Sequence, residues 1–170
     1  MYEEEGVDIM QSTSIAVPLF ASGAMFAASA GLVLQSDAHE NHSRYSAGEP
    51  GDANKPARTI TVKMREEGKR MMFEPPRIEV RKGEQIRFVL QNEGDETHEF
   101  VLATTEENRK HAQLMKKYPE MAHDDPNARR VPEYLDDELL WRFTKRGEFE
   151  YACLISGHYE KGMFGKVIVK

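Results

Sequence analysis

The sequence contains little cysteine and no clustered positive charge. Cys153 is the single cysteine among 170 residues, so the chain cannot close a disulfide within itself. The first 38 residues hold five of the 29 acidic residues and none of the 23 lysines and arginines, which leaves residues 39–170 with 24 acids and 23 bases. No basic stripe is interleaved with aromatic residues, as a site for a phosphate backbone would require. We therefore expect no nucleic-acid partner. The single thiol must have a role other than a disulfide within the chain.

A long uncharged apolar run occurs near the amino terminus. Residues 15–34 are apolar or small, and Ser36-Asp37-Ala38 follows with the small-x-small pattern typical of signal-peptidase cleavage. We interpret residues 1–38 as a signal peptide, although the stretch that precedes the run is acidic rather than basic. The alternative is a membrane anchor, because a run of this length can span a bilayer. In either case the remainder is expected to be periplasmic or otherwise extracytoplasmic, with membrane contact only if the leader is uncleaved.

The rest of the chain changes character at residue 58. Residues 39–57 are polar and contain several glycines and prolines, which predicts a flexible linker. Short stretches that alternate apolar and polar residues then predict strands. They cover residues 59–64, 78–81, 85–90, 100–104, 139–145, 148–154 and 166–170. A domain over residues 58–170 is expected to be an all-β sandwich.

The alternation is interrupted over residues 105–138, which we expect to be an insertion between strands. Residues 106–118 are rich in helix formers and end at a proline, with Thr104 or Thr105 as a candidate cap, so a helix is predicted there. An irregular surface loop is expected over residues 124–133.

Three metal-binding side chains stand at equal intervals near the end of the chain. Cys153, His158 and Met163 are five residues apart and directly precede a β-branched strand. A thiolate, histidine nitrogens and a weak axial thioether are the ligands of a blue-copper centre. His98 is the best candidate for the second imidazole, because it lies where a loop enters an apolar strand. The predicted copper site therefore consists of His98, Cys153, His158 and Met163.

These residues belong to a longer pattern that resembles the cupredoxins. Residues 147–166 carry Cys-x4-His-x4-Met and are similar to the ligand loop of auracyanin-, azurin- and plastocyanin-like proteins. Residues 72–90, followed by His98-Glu99-Phe100, match the amino-terminal half of that family in order and spacing. The resemblance covers residues 58–170. It implies a Greek-key sandwich of about seven to eight strands with one helix-containing insertion, which binds one type 1 copper through the four ligands.

Two positions depart from the usual pattern of that family. Ser156 stands where a proline often precedes the Gly-His pair, and Glu99 stands where an asparagine often follows the first histidine. Neither residue is a ligand, so these departures bear on the redox potential and the colour of the centre rather than on copper binding.

The same residue types also occur in catalytic sites. Cysteine and histidine also serve as nucleophile and base in acyl transfer, but no oxyanion motif accompanies them here. In multicopper oxidases, as the resemblance implies, histidines flank the cysteine, whereas Ala152 and Leu154 flank Cys153. We expect no enzyme, with oxidation of cuprous ion as the one catalytic alternative.

More methionines and histidines cluster around the predicted helix. His111 and Met115 are four residues apart and share a helix face, and Met121 and His123 follow Pro119. They form a candidate accessory Cu(I) site. The alternative is that Met115 packs the helix onto the sandwich while the histidines face water. In its extra methionines and histidines the chain resembles exported copper-tolerance cupredoxins.

Three functions are compatible with the sequence. We expect first an exported copper protein that cycles between Cu(I) and Cu(II) in copper tolerance or homeostasis. The alternative is a one-electron carrier, which would dock a redox protein through an apolar patch of Tyr159 and Phe164 around an exposed edge of His158. A metal-free structural sandwich is the third possibility. A monomer is expected in each case.

Overall fold

The computed structural model describes residues 45–119 and 125–170, all of which belong to one compact unit. The predicted leader, residues 1–38, lies outside the described residues. Among the described residues, no helix has the length and hydropathy that a membrane span requires. The elements in chain order are β1 Glu49–Pro50, β2 Arg58–Glu67, β3 Arg70–Glu74, β4 Arg77–Val80, β5 Gln85–Asn92, β6 His98–Ala103, α1 Thr105–Lys117, β7 Ala128–Val131, β8 Asp136–Arg142, β9 Gly147–Ala152 and β10 Phe164–Val169.

The first sheet orders its strands β1-β8-β5-β2-β3. Val62 on β2 lies opposite Leu90 on the parallel strand β5, and Phe88 on β5 lies opposite Leu139 on the antiparallel strand β8. All four side chains are fully buried, while their neighbours along each strand are more exposed. The period-two alternation that predicted these strands therefore marks the face that packs into the core.

The second sheet orders its strands β4-β10-β9-β6-β7. Its strand β6, which lies between β9 and β7, is buried along its whole length, because the core covers one face and α1 covers the other. Phe100 on β6 stacks on Tyr151 at a ring-centroid distance of 5.2 Å and also contacts Phe88 of the first sheet at 5.2 Å. The contact between Phe88 and Phe100 joins the two sheets, and the all-β sandwich with a helix-containing insertion is confirmed.

The predicted helix is confirmed as α1. The Thr104 side chain accepts a hydrogen bond from the backbone N–H of Glu107, and the Glu107 carboxylate accepts one from the backbone N–H of Thr104, at 3.2 and 2.9 Å. This capping box fixes where the helix begins. On its inner face Ala112 and Met115 are buried beside Val101 of β6.

The described residues form ten strands, whereas about seven to eight are expected from the sequence. The additional strands are β1, β3 and β7, which the alternation of apolar and polar residues did not predict. β1 lies in the stretch that was predicted to be a flexible linker. Ala47, just before it, is fully buried, and its carbonyl accepts a 3.3 Å hydrogen bond from the Trp141 indole. The linker prediction is therefore wrong for residues 45–50, because their polar composition did not reveal contacts with a strand about 90 residues later.

β7 also corrects the sequence analysis. It lies inside the predicted irregular loop but pairs antiparallel with β6, with His98 opposite Val131. Only its end residues Ala128 and Val131 are buried. Two adjacent arginines between them interrupt the alternation of apolar and polar residues. The strand is therefore stabilised by its pairing with β6 and is not marked by its own sequence.

We predict that Met115→Ala destabilises the copper-free protein by about 2–5 kcal/mol, since it removes a side chain that is 1% exposed in the core. Met115→Leu, which conserves volume, should cost less than about 1.5 kcal/mol. Urea unfolding of the copper-free variants measures both. Leu114→Ala is the matched control, because Leu114 lies on the same helix and is 47% exposed. Equal effects of Met115→Ala and Leu114→Ala would contradict the packing role.

Candidate metal centre

The predicted ligands converge at one end of the second sheet. His98 is the first residue of β6, and Cys153 directly follows β9. His158 and Met163 belong to the connection between β9 and β10. The start of β6, the end of β9 and the β9–β10 connection thus meet at one edge of the sheet. His98 is distant in sequence from the other three residues, which follow one another on a single loop.

Backbone hydrogen bonds set the shape of the β9–β10 loop. The N–H of Cys153 donates to the carbonyl of Met163 at 3.0 Å, and the N–H of Met163 donates to the carbonyl of His158 at 3.2 Å. Gly157 and Gly162 have φ values of 88° and 98°, which other residues rarely adopt. These two glycines therefore allow the loop to fold back on itself.

A thiol and two imidazoles point at one another inside this loop. The Nδ1 atoms of His98 and His158 are 3.3 Å apart, and the Sγ of Cys153 lies 3.4 Å from Nδ1 of His158. The three donor atoms lie within 4.8 Å of one another and are buried. Of the residues described, this is the one group of three histidine, cysteine or acidic side chains that is close enough to share a metal ion.

Met163 lies beside this group. Its side chain is fully buried in the same core cluster as Cys153, and its backbone bonds both Cys153 and His158. The structure thus brings together the regions of all four predicted ligands. The role of Met163 as the axial ligand remains a prediction.

Burial governs the protonation of the donor atoms. It raises the pKa of the Cys153 thiol to about 12, although the backbone N–H of Glu99 donates a 3.3 Å hydrogen bond to the sulfur and acts in the opposite direction. Burial lowers the pKa of His98 and of His158, and the charge of His98 lowers that of His158 further. At neutral pH both imidazoles are therefore neutral and ready to act as ligands, while the thiol carries a proton.

The donor set suits copper. Sulfur ligands favour Cu(I), imidazole suits copper in either oxidation state, and a Cys-His-His group with a nearby methionine is the blue-copper combination. Copper would be held by His98, Cys153 and His158, with Met163 as the fourth donor.

The outward nitrogens of both imidazoles face carboxylates that the sequence analysis missed. Nε2 of His98 lies 2.7 Å from Oε1 of Glu66, and Nε2 of His158 lies 3.2 Å from Oε2 of Glu96. Glu66 stands 32 positions before His98 on another sheet, so no local pattern marks it. Glu96 does lie close in sequence, two residues before His98, but in an acidic turn without a distinguishing motif.

The predicted exposed edge of His158 is not found. His158 is 4% exposed, and Glu96 lies against its outer nitrogen. Tyr159 and Phe164 do form a ring pair, with centroids 5.2 Å apart, and Phe164 is 41% exposed. An apolar ring is thus available next to the loop, but the imidazole itself is covered.

The candidate accessory site is only partly described. Met115 is buried in an apolar cluster beneath α1, as the packing alternative required. His111 is half-buried at the edge of a cavity of about 180 Å³, which Glu107 and Asp125 also line. Met121 and His123 lie outside the described residues. Copper binding by these four residues therefore remains a prediction.

Comparison with known proteins decides the family. The family model described as copper binding proteins of the plastocyanin/azurin family matches residues 60–170. The chain belongs to this family. The buried Cys-His-His group thus occurs in a member of the plastocyanin/azurin family, whose described property is copper binding.

Relatives of this plastocyanin/azurin family member include two proteins named copper-resistant cuproprotein CopI. The chain is 49% identical over 133 residues to that of Rubrivivax gelatinosus, which covers 78% of this chain and 79% of the relative. It is 33% identical over 181 residues to that of Pseudomonas aeruginosa, covering 89% and 94%. Among solved structures, auracyanin B superimposes with a TM-score of 0.60 at 19% identity, over 73% of this chain and 96% of that one. The latter likeness supports the fold.

We predict that copper binding at pH 7 releases close to one proton, because the thiol is protonated and both imidazoles are neutral before binding. Since burial raises the thiol pKa to about 12, the affinity should increase about tenfold per pH unit above neutrality until that pKa is reached. Calorimetry in buffers of different ionisation enthalpy counts the protons. Binding through the imidazoles alone, as in Cys153→Ala, should release almost none; a wild-type protein that also releases none would contradict thiolate ligation.

Proposed function

We propose that the chain is an exported copper protein that binds one type 1 copper through His98, Cys153, His158 and Met163 and acts in copper resistance. The observation that carries the proposal is the convergence of one buried thiol and two buried imidazole nitrogens within 4.8 Å. Packing alone does not explain a group of this composition, because burying each polar atom away from water costs free energy.

The relatives support the resistance role. Two proteins named as copper-resistant cuproproteins align with 78% and 89% of this chain, so the likeness extends over most of its length. We infer the same role here. Residues 1–38 would direct export, and the domain would act outside the cytoplasm.

The chain's own residues prepare the site in three ways. The two sheets and the hydrogen-bonded loop hold the donors before any ion arrives, the apolar surroundings exclude water, and neutral imidazoles present free lone pairs. The thiol proton leaves when the sulfur becomes a ligand. Copper bound there supplies one-electron chemistry between Cu(I) and Cu(II). Little rearrangement of the protein is expected when an electron is gained or lost, because a packed scaffold carries the ligands.

One-electron transfer to a protein partner is the second candidate function. The observation that favours it is the ring of Phe164, which is 41% exposed and packs at a tilt against Tyr159, next to the ligand His158. Such a ring offers a small apolar contact of the kind that transient redox complexes use. Electron transfer to a protein partner would require this ring, whereas copper resistance would not.

We predict that Cys153→Ser abolishes the intense visible absorption of the Cu(II) protein and makes cells that carry only this variant sensitive to copper. The hydroxyl of serine cannot replace the soft thiolate. Ser156→Ala is the matched control, since Ser156 lies in the same loop and is exposed; it should retain both properties. Intact absorption in Cys153→Ser would overturn the site, and normal copper tolerance in a variant that has lost the absorption would overturn the resistance role.

A further inference from the structure

We propose that Glu66 is a positioning residue for the copper ligand His98, and that its charge biases the centre towards Cu(II). The inference rests on the proposed copper function and adds a residue to it. Glu66 lies near the end of β2 in the first sheet, whereas His98 begins β6 in the second sheet. The contact therefore ties the metal centre to the opposite half of the sandwich.

The geometry of the contact is that of a charge-assisted hydrogen bond. Nε2 of His98 lies 2.7 Å from Oε1 of Glu66, the His98 side chain is fully buried, and the Glu66 side chain is 20% exposed. A carboxylate only accepts hydrogen bonds, so Nε2 of His98 carries the proton and donates a hydrogen bond to Glu66. The neutral imidazole then leaves the lone pair of Nδ1 free. That nitrogen is the one that faces His158, 3.3 Å away.

The loop before β6 is shaped around the Glu66 carboxylate. The backbone N–H groups of Asp95 and Glu96 donate to its two oxygens, each at 3.2 Å. A Cβ atom on Gly94 would lie 1.9 Å from Oε2 of Glu66, so this close approach requires glycine. Two amides, one imidazole and a glycine thus hold one carboxylate in place, which distinguishes it from an incidental surface acid.

The chemical consequence concerns the relative stability of the two copper ions. A carboxylate on the outer nitrogen of a metal-bound histidine fixes the ring and makes it a stronger donor. A nearby negative charge also stabilises an ion of charge +2 more than one of charge +1, and it does so strongly where water is excluded. Both effects favour Cu(II) over Cu(I). A protein with this contact should therefore have a lower reduction potential than one without it.

Glu96 occupies the corresponding place on His158, but its effect is expected to be smaller. Its Oε2 lies 3.2 Å from Nε2 of His158, and its side chain is 51% exposed. Solvent screens an exposed charge of this kind. The shorter and better enclosed contact of Glu66 is therefore expected to dominate.

The test compares the preference for Cu(II) over Cu(I) in Glu66→Gln and in the wild type. Glutamine retains a hydrogen-bond acceptor and the size of the side chain but removes the charge. We expect the preference to fall about tenfold, which raises the reduction potential by about 59 mV for a one-electron couple. Potentiometric titration followed at the visible absorption measures this shift. Glu67→Gln is the matched control, because it removes the same charge from the next, exposed residue of β2; its shift should be less than twofold.

Gly94→Ala supplies a second test that retains the charge. Its methyl group would displace the flexible end of Glu66, so we expect a shift in the same direction with little loss of stability. In the copper-free protein, nitrogen-15 NMR of the His98 ring should show the Nε2-protonated tautomer in the wild type and a mixture of tautomers in Gly94→Ala. This variant decides the question if Glu66→Gln fails to fold.

The inference is overturned if Glu66→Gln and Glu67→Gln shift the preference equally, or if Gly94→Ala leaves both the potential and the His98 tautomer unchanged. These results are distinct from failure of the proposed function, in which the wild type itself would lack a thiolate absorption that depends on Cys153. A potential that falls in Glu66→Gln would likewise contradict the proposal.

Discussion

The structure depends on three donor atoms being buried against one another. The thiol of Cys153 and the Nδ1 atoms of His98 and His158 have lost their water, yet they face each other rather than a full set of hydrogen-bond partners. Such burial is costly unless something binds there. A soft metal ion offsets this desolvation free energy, because each donor atom shares one lone pair with it. The apolar core and the closed loop are the means by which the chain keeps these atoms together.

The contacts that position the donor atoms come from both sheets of the sandwich. The β9–β10 loop brings Cys153, His158 and Met163 together through its own backbone, so this part of the centre is local. His98 is brought in by the pairing of β6 with β9 and β7. Glu66 reaches it from the other sheet. Copper affinity, the oxidation state that is favoured and the stability of the fold should therefore be linked.

Local features of the centre were predictable from the sequence, and non-local ones were not. The spacing of Cys153, His158 and Met163 encodes a loop whose backbone closes on itself, and the alternation around Val62 and Phe88 encodes the core face of two strands. The capping box at Thr104 likewise lies within four residues. In contrast, the packing of Ala47 under Trp141, the pairing of β7 and the contact of Glu66 with His98 join residues 27 to 94 positions apart. Composition alone assigned residues 39–57 to a linker, but polar residues can also pair with a strand edge, as residues 49–50 do with β8. The covering of His158 by Glu96 was missed for a similar reason, since it depends on how the turn before β6 folds.

The most direct test of the central claim is X-ray absorption spectroscopy at the copper edge of the copper-loaded protein. We predict a first coordination shell that contains one short sulfur scatterer from Cys153 and two imidazole nitrogens from His98 and His158. Loss of the sulfur scatterer in Cys153→Ser would identify its source. A wild-type shell without sulfur, or one composed of oxygen ligands, would contradict the claim that these three buried donors form the copper site.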